Sequence, residues 1–189
     1  MHISFDGNRT NVLAPVPVGG PLNRLPIRPA VALAAVAMAF AAGTARAEDL
    51  PSGIAAEGKV VLKLHAEGAQ IYECKASSTG ALAWQFREPV ATLLKEGKTV
   101  GRHFAGPSWE LADNSAVIGK MAAQAPGKTA KDIAWLRLDV TDRRGEGGLS
   151  KVTAVQRLDT RGGAYSGACD QAGALHVEPY SAEYVFLEK

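Results

Sequence analysis

The chain has few of the residues that usually reveal a reaction. It carries two cysteines and four histidines in 189 residues. The cysteines form no CxxC pair, which removes the zinc-ribbon and dithiol redox patterns. The histidines beyond residue 50, His65, His103 and His176, stand far apart without HxH or HxxxH spacing. No single helix or strand therefore presents two of them as paired metal ligands. Ser108 in "GPSWE" and Ser166 in "AYSGA" both lack the G-x-S-x-G context of a nucleophile elbow. The Gly-rich stretches "RRGEGG" and "GGAYSG" do not open a helix after a strand, as a phosphate loop must. Acidic residues are numerous but scattered, so no carboxylate pair is selected for glycoside chemistry. No internal repeat is present.

Long apolar runs are also missing. The one uncharged stretch of note, "AVALAAVAMAFAA" from Ala30 to Ala42, would span only about 20 Å as a helix, against a hydrocarbon core of roughly 30 Å. Arg24 and Arg28 precede it, and a small-x-small ending at Ala45 and Ala47 follows. Together these predict a signal peptide within a leader covering residues 1–47, cleaved between Ala47 and Glu48, and a single mature domain over 48–189 with no transmembrane segment. No adjacent arginine pair and no cysteine near the cleavage site point to twin-arginine export or lipid anchoring. The stretch before Arg24 is long and mixed for a leader. It suggests a translation start downstream of Met1 or a preface to the signal. The expected location is the periplasm or the outside of the cell.

Without the leader the charge balance reverses. The whole chain is +2, whereas residues 48–189 hold ten Lys and seven Arg against eighteen Asp and Glu, a net of −1. Basic residues are interspersed with acids and form no stripe, which argues against nucleic acid as a partner. Both cysteines, Cys74 and Cys169, lie in the mature part. In an exported protein with only two, a disulfide between them is the default expectation.

What the mature chain does have is period-two alternation. "KVVLKLHAEG" sets Val60, Leu62 and Leu64 against Lys63 and His65, and "AQIYECKAS" sets Tyr72 and Cys74 against Ile71 and Glu73. These two stretches read as a hairpin turning at Glu67 and Gly68. "ALAWQFRE" aligns Leu82, Trp84 and Phe86. Further strands are expected over 99–104, 116–121, 133–141, 151–159 and 180–187. Between the strands lie turn signals such as "STG", "KEGK", "ADNS", "APGK" and "TRGG". Only "PVATLLKEG" and "KTAKDIAWLRL" compete as short helices, and in the second a buried strand explains Trp135, Leu136, Leu138 and Val140 better. The fold class expected is all-β, a single antiparallel sandwich or barrel of about eight or more short strands with Gly-rich loops.

The stretch "VGRHFAGPSWE", residues 100–110, concentrates a histidine, a tryptophan and a glutamate around two glycines and a proline. Gly101 and Gly106 permit angles or close approaches that a side chain forbids. As structure, Trp109 plugs the end of a barrel over a hydrogen-bonded His103. As chemistry, the loop offers an imidazole and a carboxylate.

The blocks "GAQIYECKA" (68–76), "WQFREPVATL" (84–93), "GRHFAGPSWELADNSAVIGK" (101–120), "IAWLRLDV" (133–140), "GGLSKVTAVQRLDTRGGAYSGACD" (147–170) and "PYSAEYVF" (179–186) together resemble the exported bacterial and fungal proteins grouped as domain-of-unknown-function family 3455. The resemblance spans about residues 51–187. It implies a single exported domain, with both cysteine positions matching Cys74 and Cys169, and a His-x-x-Gly-Pro-x-Trp block matching His103, Gly106, Pro107 and Trp109. Ser108 stands where threonine is expected, which keeps a hydroxyl. No activity is implied.

Three functions remain as expectations. The first is a disulfide-stapled binding module, with Trp109, Tyr165 and Tyr180 facing a small ligand, glycan or protein partner and with no cofactor. The second is a metal-dependent hydrolase or redox enzyme. It would use His103 with Glu110 or Asp113, and a transition metal held by His65, His103 and His176. The third is a passive structural protein of the envelope.

Overall fold

The structure is a computed structural model that describes residues 50–51 and 53–189; the leader expected at 1–47 lies outside the described residues. Eight strands follow one another in sequence order: β1 (Lys59–Ala76), β2 (Leu82–Lys95), β3 (Lys98–Phe104), β4 (Ser108–Leu111), β5 (Ala116–Ala125), β6 (Trp135–Arg144), β7 (Ala154–Gly162) and β8 (Leu175–Glu188). Each pairs antiparallel with the next, and β1 pairs with β8 to close a barrel. Of the two expected architectures the barrel is the one formed. Closure removes the open edges that a sheet otherwise exposes. Among the described residues no helix is long and apolar enough to cross a membrane.

The alternation in the sequence becomes the inside and outside of the barrel. On β1, Leu64, Ala66, Tyr72 and Cys74 are buried, so even-numbered positions face inward. On β2 the inward parity changes along the strand. Trp84 and Phe86 pair with Cys74 and Tyr72, whereas Ala91 and Leu93 pair with Gly68 and Ala66. The register shift between Ile71 and Tyr72 leaves Arg87 as the extra residue, and this bulge keeps both halves of the strand facing in. Leu64, Leu93, Trp109, Leu138, Val155 and Phe186 fill the centre, each at most 2% exposed.

Three expectations require correction. The hairpin read at Glu67 and Gly68 does not exist: β1 is one continuous strand of 18 residues. Gly68 is instead a point of close approach. A Cβ there would lie 2.1 Å from the Val90 carbonyl oxygen and 2.5 Å from the Ala91 Cα, so only glycine lets β1 coil tightly against β2. The short-helix candidate "PVATLLKEG" fails as well, because "PVATLLK" belongs to β2, whereas the "WLRL" stretch belongs to β6, as the strand expected over 133–141 required. Finally, β2, β5 and β8 extend well beyond the stretches assigned from alternation alone.

The "KEGK" signal is met as expected. Glu96 and Gly97 both take positive φ, 51° and 74°, the combination that a two-residue type I′ hairpin between β2 and β3 requires. Residues before β1 form an arm on the outside of the barrel. Ile54 is fully buried with Ala125 and Trp135, and its carbonyl accepts a hydrogen bond from Gln156 Nε2 at 2.7 Å. The arm explains why Val185 and Leu187, on the outer face of β8, are nonetheless buried.

Candidate functional site

One end of the barrel collects the end of β1, the start of β2, the β3–β4 turn, the segment before β6 and the segment between β7 and β8. β3 pairs with β2 only from Ala91 to Lys95. The start of β2 is therefore free to flare, and a cavity of about 560 Å³ opens there. That is within the usual range for a small-molecule site. Phe86, Ile133 and Leu136 give it apolar walls, and Gln70, His103 and Arg157 reach it from β1, β3 and β7.

These three polar residues are placed by strand register. Gln70 has the inward parity of Ala66 and Tyr72 and is 2% exposed. Arg157 has the inward parity of Val155 and pairs across the sheet with Tyr184. His103 pairs with Trp109 across the β3–β4 hairpin and is also 2% exposed. Its Nδ1 lies 2.8 Å from the Ser108 carbonyl oxygen, which can only accept, so Nδ1 carries the proton and Nε2 keeps a lone pair. Burial is the main cause that lowers the His103 pKa to about 4, partly opposed by the Ser108 hydrogen bond. The ring is neutral at pH 7. A base this weak draws protons poorly at that pH but accepts hydrogen bonds well.

The tyrosines below are neutral too, since burial, the largest cause, raises the hydroxyl pKa values of Tyr72, Tyr180 and Tyr184. Arg157 is thus the one charge among these groups. Its Nε and Nη2 donate to the Ala134 carbonyl at 3.1 and 2.9 Å. Arg87, Arg102 and Arg144 each pair with a glutamate, but Arg157 forms no ion pair among the described residues. Gln70 Nε2 is buried without a hydrogen-bond partner. The Gln70 side chain does approach the Tyr180 hydroxyl closely enough to draw its pKa slightly down, a minor cause beside burial.

The rim is aromatic and stapled. Tyr165 stacks on His176 with ring centroids 3.6 Å apart and meets Tyr72 and Trp84 edge-on at 5.9 and 5.8 Å. Tyr72 anchors the segment that carries Tyr165 by donating its hydroxyl to the Gly163 carbonyl at 2.7 Å. The Cys74–Cys169 disulfide, expected from the cysteine count, joins that segment to β1 with a Cα separation of 6.0 Å. Backbone bonds from Trp84 to Gly167 and from Cys169 to Leu82 then cover the open edge of β2.

The residues singled out from the sequence separate into different places. Trp109 is 1% and Tyr180 4% exposed. They belong to the barrel interior, and of the expected aromatic patch only Tyr165 stands at the surface. Trp109 lies inward because it pairs with inward-facing His103. By the same pleat Glu110 points outward, where Arg102 and Arg144 hold it at 2.7 and 3.0 Å. The Arg102 hydrogen bond is the first cause of its lowered pKa. Asp113 sits in the turn after β4, away from the β3–β4 turn. It accepts from Ser115 Oγ at 2.6 Å and from Gly148 N at 2.8 Å, and the Ser115 bond leads in lowering its pKa. Neither acid joins His103.

The three histidines do not converge either. His65 bonds Glu183 at 2.7 Å and His176 bonds Glu178 at 2.8 Å. Among the described residues no group of three His, Cys, Asp or Glu side chains is placed to hold a metal ion. Gly101 and Gly106 act as anticipated. A Cβ at Gly101 would lie 2.3 Å from the Glu110 carbonyl oxygen, and Gly106 adopts a φ of +135°.

Gln70, Tyr72 and Arg157 were not singled out as site residues, although a signal existed. Each is a polar or amphipathic residue with a buried residue two positions away on the same face: Tyr72 for Gln70, Cys74 for Tyr72 and Val155 for Arg157. No curated protein and no solved structure matches the chain. A family model matches residues 54–188, which include every strand, both cysteines and the cavity wall, and the chain belongs to that family, described as protein of unknown function (DUF3455).

Proposed function

We propose that this protein is an exported binding module that takes a small ligand into the mouth of its barrel. The observation that carries this reading is the cavity of about 560 Å³ whose wall includes the buried, unpartnered Gln70 Nε2. A buried donor without an acceptor costs roughly 1–3 kcal/mol. A ligand acceptor, or water in the ligand's absence, would recover that cost. Eight-stranded barrels commonly have just enough interior to hold one small molecule. The disulfide supports export, because such bonds persist in oxidising compartments. N-terminal sequencing of the protein recovered from outside the cytoplasm should then begin at Glu48.

The binding test uses N-phenyl-1-naphthylamine, an uncharged probe that fluoresces when taken into an apolar site. Saturable binding is expected for the wild type and loss for Ala130→Trp, which places an indole at the exposed cavity edge. Probe binding that survives this substitution, or no binding by the wild type, would overturn the reading. A catalytic reading has less support, because His103 meets neither Glu110 nor Asp113.

A further inference from the structure

We propose that the barrel-mouth cavity is selective for small organic anions, with the acidic head of the ligand at Arg157 and Gln70 and its apolar body against Phe86, Ile133 and Leu136. This rests on the binding reading above and adds the charge and polarity of the ligand.

The argument begins with Arg157. A half-buried guanidinium normally has a carboxylate partner, since desolvating a charge without compensation is costly. Here Nε and Nη2 reach the Ala134 carbonyl, and the guanidinium also meets the Tyr184 hydroxyl; both partners are neutral. No acid forms an ion pair with Arg157 among the described residues. Five N–H donors in a planar fork are more than one carbonyl and one hydroxyl oxygen can satisfy. The charge is felt across the cavity floor: burial, the first cause in each case, raises the Tyr180 and Tyr184 hydroxyls and lowers His103, and Arg157 opposes the former and adds to the latter.

Gln70 supplies the second, independent observation. It is 98% buried, being 2% exposed, it borders the same cavity, and its Nε2 is a donor without an acceptor. A neutral ligand could satisfy one amide donor. An unmatched cation and an unmatched donor on one wall together call for an acceptor-rich, negatively charged head, as in a carboxylate or sulfonate. Phe86, Ile133 and Leu136 give the ligand's body an apolar surface, and Tyr72, Arg87, His103, Tyr165 and Ser166 complete the lining. His103 Nε2, as an acceptor, favours a ligand that also carries an N–H or O–H donor.

The experiment compares two probes that differ by one acidic group. 8-Anilino-1-naphthalenesulfonate is N-phenyl-1-naphthylamine with a sulfonate added, and both carry an N–H. The wild type is expected to bind the sulfonate about tenfold or more tightly than the neutral probe, in keeping with a charge-assisted contact. Arg157→Met should remove that preference, bringing the ratio of the two affinities to about one. Gln70→Leu, which leaves Arg157 and its Ala134 bonds in place, should lower the same ratio and serves if Arg157→Met does not fold. 2-Naphthoate should displace the sulfonate probe at lower concentration than 2-naphthamide, extending the preference to carboxylates. Equal binding of both probes, blocked by Ala130→Trp, would overturn the anion inference and leave the binding reading intact. Binding of neither probe, or binding indifferent to Ala130→Trp, would overturn both.

Discussion

His103 lies flat against Trp109, with ring centroids 4.7 Å apart and planes 9° from parallel. The stack follows from the β3–β4 hairpin, which sets the two residues directly opposite each other. Cross-strand neighbours on one face are near enough for rings to stack. The imidazole is thereby buried as a neutral group, and stability becomes dependent on pH.

The sign of that dependence follows from linkage. The folded-state pKa of His103, about 4, is below its ordinary 6.5. Between these values the unfolded chain takes up a proton that the folded chain refuses. Stability is then full above pH 6.5, falls as pH drops toward 4, and the loss levels off at on the order of 3 kcal/mol. Denaturant midpoints at several pH values should show this slope in the wild type. In His103→Gln, whose amide can still donate to the Ser108 carbonyl, the slope should be shallower. Identical slopes would show that His103 does not carry the effect.

Trp109 and Tyr165 should respond in opposite ways. Trp109→Ala empties the barrel centre beside Tyr184 and Phe186 and is expected to cost roughly 3–5 kcal/mol. Tyr165 is 36% exposed, so Tyr165→Ala should cost less than about 1.5 kcal/mol while weakening probe binding at the cavity rim. Calorimetry paired with fluorescence titration separates the two. A larger stability loss from Tyr165→Ala than from Trp109→Ala would contradict the assignment of core and rim.

The disulfide closes a loop of 95 residues, for which the chain-entropy model gives about 4–5 kcal/mol. Replacing both cysteines with alanine should lower stability by about 2–4 kcal/mol, less than the ideal, because residual structure in the unfolded chain reduces the effect. Limited proteolysis of the variant should cut first within residues 163–174, which the bond ties to β1. Cleavage starting elsewhere would show that hydrogen bonds alone hold this segment.

Gly68→Ala is the smallest substitution expected to do large damage. The added methyl would collide with the backbone of Val90 and Ala91, which cannot swing aside as a side chain can. A loss of more than about 3 kcal/mol or failure to fold is expected, far above the usual cost of a surface Gly→Ala change. A mild effect would mean that β1 and β2 separate locally without disturbing the barrel.

Much of the fold was already written in the chain. Alternation at Leu62, Leu64, Tyr72 and Cys74 specified strands and their buried face, because a pleat repeats every two residues whatever lies around it. The turn at Glu96 and Gly97 was equally local, since the chain there must accept positive φ. The pairing of Cys74 with Cys169 was legible from the count alone, since the chain has only two cysteines. Other features depended on partners distant in sequence. Gly68 reads as a turn until β2 is seen pressed against it, and "PVATLLK" reads as a helix until β1 and β3 pair with it. The site was the least legible part. Trp109 and Tyr180 look like a binding patch until closure of the barrel turns them inward, while Gln70 and Arg157, from β1 and β7, border one cavity only after β1 meets β8. The sequence by itself determined which residues form strands, which face of each strand is apolar and which two residues are cross-linked, because those properties arise from near neighbours. Only the tertiary structure decided which polar side chains were left without partners in a shared cavity, because that depends on strand register summed around a closed sheet.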